Sequence, residues 1–126
     1  MRESAEQAIG RKVALGRMFS FYGELLSESQ RAVCSMYLEE DLSMAEIAEQ
    51  TDVTRQGVHD TLTRAFARLE DCEKKLGMCR RFDGMEQGLK VLKQLLSEIT
   101  PAPGSETKLQ EAVRKTESLR RLEEME

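Results

Sequence analysis

Apolar residues recur every three or four positions through most of this chain, and the places where that rhythm stops mark out six helices. The first runs from about Glu6 to Leu26, with Leu15, Met18, Phe19, Tyr22, Leu25 and Leu26 on one face. Ser27 caps a second, whose buried stripe is Val33, Met36 and Tyr37 and whose end is marked by Glu39-Glu40-Asp41. The third opens on Ser43-Met44-Ala45-Glu46, a capping box in which the serine oxygen accepts from the N3 amide and the glutamate reaches back. Ile47 and Ala48 give it a small apolar face, Thr51-Asp52-Val53 breaks it, and Thr54 caps the fourth. There Val58, Leu62, Ala65, Leu69, Cys72 and Leu76 step by four and three in alternation. That heptad-like seam carries the helix to about Lys75, with Gly77 as its stop. A fifth helix, from about Arg80 to Ile99, puts Met85, Leu89, Leu92, Leu95, Leu96 and Ile99 on one face.

Residues 43–69 have the spacing of a helix-turn-helix. Ala48 is small where the two helices cross, Asp52 occupies a turn position that favours a positive φ, and Val58 is a core position. Such a motif presents the start of its second helix outward, as in proteins that read the major groove. After residue 99, Thr100-Pro101-Ala102-Pro103-Gly104-Ser105 reads as a linker, because prolines and glycine end one helix and a serine can cap the next. The organisation expected is a helical domain over 1–99, a linker over 100–105, and a charged C-terminal helix or flexible tail over 106–126. The tail's apolar stripe, Leu109, Val113, Leu119 and Leu122, is thin, which suits a marginal helix, a coiled-coil arm or a segment that orders on binding.

Composition narrows the class. Both prolines lie at or beyond residue 101 and runs of β-branched residues are rare, so the fold class is all-α, a helical bundle with additional C-terminal helices. No apolar stretch approaches the ~20 residues of a membrane span, and no apolar signal core opens the chain, so a cytoplasmic protein without membrane contact is expected. Cys34, Cys72 and Cys79 form no Cys-x-x-Cys pair and His59 has no cysteine near it in sequence; reduced, mostly buried thiols and no metal or cofactor are expected. A lone histidine without a nucleophile at a recognisable spacing, and no phosphate-binding loop, exclude the common enzyme signatures.

The net charge of −4 is unevenly spread. Residues 18–53 hold one basic residue, Arg31, against eight acidic ones, whereas residues 54–81 hold seven basic against four acidic. Arg2, Arg11, Lys12 and Arg17 add positive charge before that. A local basic surface on an acidic protein still binds phosphate. The competing reading is a solvated face on which Arg64, Arg68 and Lys75 pair with acids three or four residues away.

The runs Phe21-Tyr22-Gly23-Glu24-Leu25-Leu26-Ser27-Glu28-Ser29-Gln30, Ser43-Met44-Ala45-Glu46-Ile47-Ala48-Glu49 and Thr54-Arg55-Gln56-Gly57-Val58-His59-Asp60 closely resemble the bacterial YlxM family. Leu69-Glu70-Asp71-Cys72-Glu73-Lys74-Lys75-Leu76 fits it too, and the resemblance covers about residues 10–98. It implies a sigma-factor-like helix-turn-helix and a regulatory DNA-binding role. Genes of the family typically neighbour that of the signal recognition particle GTPase, which implies a link to that pathway. The family usually has Ser, Ala and Tyr where this chain has Thr54, Gly57 and His59, and a glycine at Asp52. Gly57 is expected to weaken the helix by ~1 kcal/mol relative to Ala.

On the nucleic-acid reading, Thr54, Arg55, Gln56, His59, Asp60, Thr63, Arg64 and Arg68 face the ligand. Gln56 suits adenine, Arg55 guanine or phosphate, and Arg64 and Arg68 the backbone, while Asp60 accepts from cytosine N4 but repels phosphate. His59 is either a base or phosphate contact or a polar surface residue. The alternative is an adapter that binds the signal recognition particle GTPase or its RNA, which the acidic first half favours. The seam and the fifth helix carry more apolar surface than the small third helix covers, so either the fifth helix folds back onto the fourth within one chain or the two form a dimer interface. A homodimer built from the region after Cys72 is expected, because a DNA-reading helix-turn-helix commonly works as a two-fold pair.

Overall fold

The computed structural model describes residues 4–124, with side chains to Arg121, and they are all-α. Six helices follow one another: α1 (Ala5–Tyr22), α2 (Glu28–Leu38), α3 (Met44–Thr51), α4 (Arg55–Leu76), α5 (Met78–Ser97) and α6 (Glu106–Glu124). Arg2 and the last two residues lie outside the described residues, as does the side chain of Leu122. The chain divides into two compact units, one ending at Cys79 and one beginning at Arg80.

In the first unit, local chemistry sets each start. Ser4, Ser27 and Ser43 each accept from the N3 amide and receive a glutamine or glutamate side chain in return, at 2.9–3.2 Å. The box at Ser4 starts α1 slightly before Glu6. Its end also differs from expectation: α1 stops at Tyr22, and Gly23–Leu25 tighten into a 3-10 turn. Gly23 passes so close to the Phe19 ring that a Cβ there would lie 3.1 Å from it. The tighter turn rotates Leu25 outward and drives Leu26 into the core.

Helix α4 is the axis of this unit, packed against α1, α2 and α3. Its seam is buried from Val58 through Leu62 and Ala65 to Leu69, and Cys72 is half-buried. Leu76 has the right spacing but is exposed, because the seam outruns the helices that cover it. Tyr22, Leu26, Val33, Cys34 and Ile47 complete the core. Each large side chain buried there contributes ~1.5–3 kcal/mol. Cys34, absent from the expected stripe of α2, is fully buried, and burial pushes its thiol up to about 11. It behaves as a small hydrophobe.

Gly77, at φ 63°, ends α4 in the left-handed conformation, and α5 begins at the next residue. The first amides of α5 are capped from afar. Met78 N–H donates to the Tyr22 hydroxyl at 3.0 Å, and Cys79 N–H donates to Glu73 Oε1 at 3.0 Å. Tyr22 in turn donates to Glu73 Oε1 at 2.8 Å. Burial, and then the Glu73 carboxylate, raise the Tyr22 hydroxyl above its ordinary pKa.

The second unit joins most of α5 to α6, which is helical where the sequence left a helix or a flexible tail open. Lys93 Nζ meets Glu117 Oε2 at 2.7 Å, and a cavity of about 430 Å³ lies between Leu96, Ile99, Leu109 and Val113. No helix among the described residues is long and apolar enough to cross a membrane.

Candidate nucleic-acid interface

The motif is assembled by short-range contacts. Thr51 Oγ1 donates to the Ile47 carbonyl at 2.7 Å, and Asp52 then enters the left-handed region at φ 56°, ψ 35°. Thr51 therefore remains in α3, and the three-residue turn is Asp52-Val53-Thr54, one residue later than the sequence suggests. The positive φ at Asp52, rather than the β-branched Thr51, stops the helix. The Ser43 backbone N–H and then its hydroxyl hold the Glu46 carboxyl below its ordinary pKa, so the α3 cap is ionised at neutral pH.

Helix α4 is capped differently. Thr54 Oγ1 accepts from Gly57 N at 3.0 Å, but Gly57, at the N3 position, has no side chain to reach back. Nor is Gly57 an ordinary helix site, contrary to expectation. A Cβ there would lie 2.8 Å from Val53 Cγ1 and 3.1 Å from Thr54 Oγ1. The glycine lets the turn close against the cap. The first turn of α4 has no acid and contains Arg55, whereas those of α1, α2 and α3 carry Glu6, Glu28 and Glu46. Its partly positive N-terminus is thus left open to an anion.

All eight candidate residues, Thr54, Arg55, Gln56, His59, Asp60, Thr63, Arg64 and Arg68, are exposed. Their states differ. Arg55, Arg64 and Arg68 make no ion pair or hydrogen bond among the described residues, while Lys75 pairs with Asp71 at 3.0 Å. The solvated-pair reading thus fits Lys75 and not the arginines. Gln56 Nε2 donates to Asp60 Oδ1 at 3.0 Å, and His59 Nδ1 lies 3.6 Å from the same oxygen. Thr63 Oγ1 donates to the His59 carbonyl at 2.9 Å. Asp60 therefore engages both Gln56, the residue expected to read adenine, and the imidazole.

His59 and Thr63 also line a cleft whose other wall is α1, with Arg11 and Lys12. These two basic residues were visible in sequence only as part of a basic stretch; their place beside α4 depends on long-range packing. Lys12 pairs with the Asp41 carboxylate and lies 4.6 Å from the Tyr37 ring centre. Hydrogen bonding from Lys12, reinforced by its charge, lowers the Asp41 pKa. Among the described residues, no cluster of three or more His, Cys, Asp or Glu is placed to hold a metal ion.

A family sequence model described as "Putative helix-turn-helix protein, YlxM / p13 like" matches residues 9–117. The match extends past residue 98 into α6, further than the motifs alone suggested. A UPF0122 protein of Bacillus mycoides (strain KBAB4) is 46% identical over 81 residues, which cover 64% of this chain and 74% of the relative. UPF0122 proteins of Bacillus anthracis (strain A0248) and Bacillus thuringiensis subsp. konkukian (strain 97-27) are 44% identical with the same coverage.

Proposed function

The chain belongs to the YlxM/p13-like family of helix-turn-helix proteins, and from that premise we propose that it is a non-enzymatic regulatory protein that binds DNA through α4. The observation that carries this reading is the exposed face of α4, where Arg55 stands at an acid-free helix start and Arg64 and Arg68 follow along the helix, none with an acidic partner among the described residues. Arg55, Arg64 and Arg68 would bind phosphate, and Gln56, His59 and Thr63 would meet base edges with Thr54 at the helix start. Asp60 opposes binding, since it repels phosphate and holds Gln56.

Fluorescence anisotropy across a salt series tests this. Affinity for duplex DNA should fall steeply with salt. Arg64→Ala should weaken binding to every sequence, whereas Gln56→Ala should relax preference at one base pair by ~1–3 kcal/mol. Asp60→Asn should tighten binding. Absence of salt-dependent binding to any DNA would favour the second reading, an adapter for the signal recognition particle GTPase or its RNA. Asp60 at the centre of the exposed face and the acid-rich segment 18–53 support that alternative.

We further propose a homodimer through α5, whose Met85, Leu92, Leu95 and Ile99 are exposed. A two-fold pair would set the spacing of two half-sites. Sedimentation equilibrium should show a dimer for the full chain and a monomer for Leu92→Glu; a monomer for both at tens of micromolar would rule the assembly out.

A further inference from the structure

Beside the exposed face of α4, the first unit contains a cleft of about 260 Å³ between α1 and α4. Ala8, Arg11, Lys12 and Leu15 form its α1 wall at the i, i+3, i+4, i+7 spacing of one helix face, and a matching row on α4 runs from His59 to Phe66. Its chemistry is divided. Arg11 is exposed and makes no ion pair or hydrogen bond among the described residues. His59 approaches Asp60 through Nδ1 at 3.6 Å, which leaves Nε2 without a partner among them. Lys12 is engaged by Asp41 and Tyr37 and serves as wall rather than ligand. The rings of Tyr37 and Phe66, which also line the cleft, lie 5.9 Å apart at 44°, and Lys12 covers one face of Tyr37.

A guanidinium and an imidazole on one cleft bind an anion, and an aromatic ring beside them accepts a flat group. Those two demands together describe a nucleotide. The volume lies just under the roughly 300 Å³ at which small-molecule sites begin, which suits one nucleotide and no more. We propose that this cleft binds a nucleotide phosphate, with Arg11 and His59 on the phosphate and the base against Phe66. The same chemistry can arrive as a free nucleotide or as one residue of a strand lying along α4; only the second source rests on the nucleic-acid function proposed above.

His59 is the only histidine in the chain, so its imidazole signals report this cleft without assignment ambiguity. At fixed pH, the full chain labelled with nitrogen-15 is titrated with AMP and, separately, with a short oligodeoxyadenosine. One or both should shift the imidazole signals saturably. Arg11→Ala should weaken that binding by roughly tenfold, the loss expected for one charge-assisted hydrogen bond, and Arg31→Ala on α2 should not. A response to AMP identifies a free-nucleotide site, and a response to the oligonucleotide alone identifies a strand contact; either supports the cleft when Arg11→Ala weakens it. No response to either at millimolar concentration, or one that Arg11→Ala leaves unchanged, overturns it. Duplex binding that needs Arg64 while Arg11→Ala leaves the imidazole response unchanged would remove the cleft and leave the proposed function standing. AMP binding without binding to any DNA would do the reverse.

Discussion

Helices α4 and α5 are 22 and 20 residues long and both repeat apolar residues every three or four positions, yet only one of them has a filled core around it. On α4, Val58, Leu62, Ala65 and Leu69 are at most 1% exposed, whereas Leu92 and Leu95 on α5 remain 45% and 54% exposed. The difference lies in the partners. Three helices converge on α4, each started by its own capping box, while the second unit supplies α6 alone, with a thin stripe and an open groove between the two helices. Amphipathic spacing specifies a helix and the face it would bury; burial itself needs apolar surface arriving from elsewhere in the chain.

The sharpest way to break this comparison is a matched pair of truncations. Leu62→Ala should cost ~2–5 kcal/mol by opening a cavity in the core, whereas Leu95→Ala should change stability by no more than ~0.5 kcal/mol. Urea melts at low chain concentration would show both, and an equal loss at Leu95 would mean that the α5 face is covered. A smaller effect is expected where α5 leaves the first unit. Tyr22→Phe removes the acceptor of Met78 N–H and the donor to Glu73 in a buried setting, and should cost ~1–3 kcal/mol without changing the folded structure. Chemical-shift comparison and a melt would check both parts of that statement. The smallest effect concerns Gly57. Alanine there should give none of the ~1 kcal/mol that helix propensity promises, because its Cβ meets Val53. In a Val53→Ala background the same change should stabilise by up to ~1 kcal/mol. Additive thermal melts for the two substitutions would show that Val53 is not the obstacle.

What the sequence revealed follows the range of the interaction. Ser43 with Glu46, Thr54 as a cap, Asp52 as a left-handed turn and Val58 to Leu69 as a seam all depend on neighbours within a few residues, and all appear in the structure. The 3-10 turn at Gly23 depends on the ring of Phe19 and was read as continuous helix. Val33, Met36 and Tyr37 already satisfy the periodicity of α2, so Cys34 is no part of the expected stripe; cysteine's preference for burial nonetheless predicts the buried thiol that is found. On the candidate interface, the identity and exposure of the α4 residues were legible. The pairing of Gln56 with Asp60, at helical i, i+4 spacing, was available to the same reasoning. The placing of Arg11 on the same cleft as His59 was not, since it joins positions 48 residues apart.

The capping of α5 by Tyr22 and Glu73 divides that helix in time as well as in space. Amides at a helix start usually exchange with solvent almost freely, for want of acceptors. Here the first two amides of α5 are held by side chains from α1 and α4, so their deuterium uptake waits on the opening of the first unit's core. The amides of the last turn, near Ser97, are held among the described residues only by bonds within the same helix and its end, and should exchange by local fraying. A single continuous helix therefore carries two clocks, a slow one at its start and a fast one at its end.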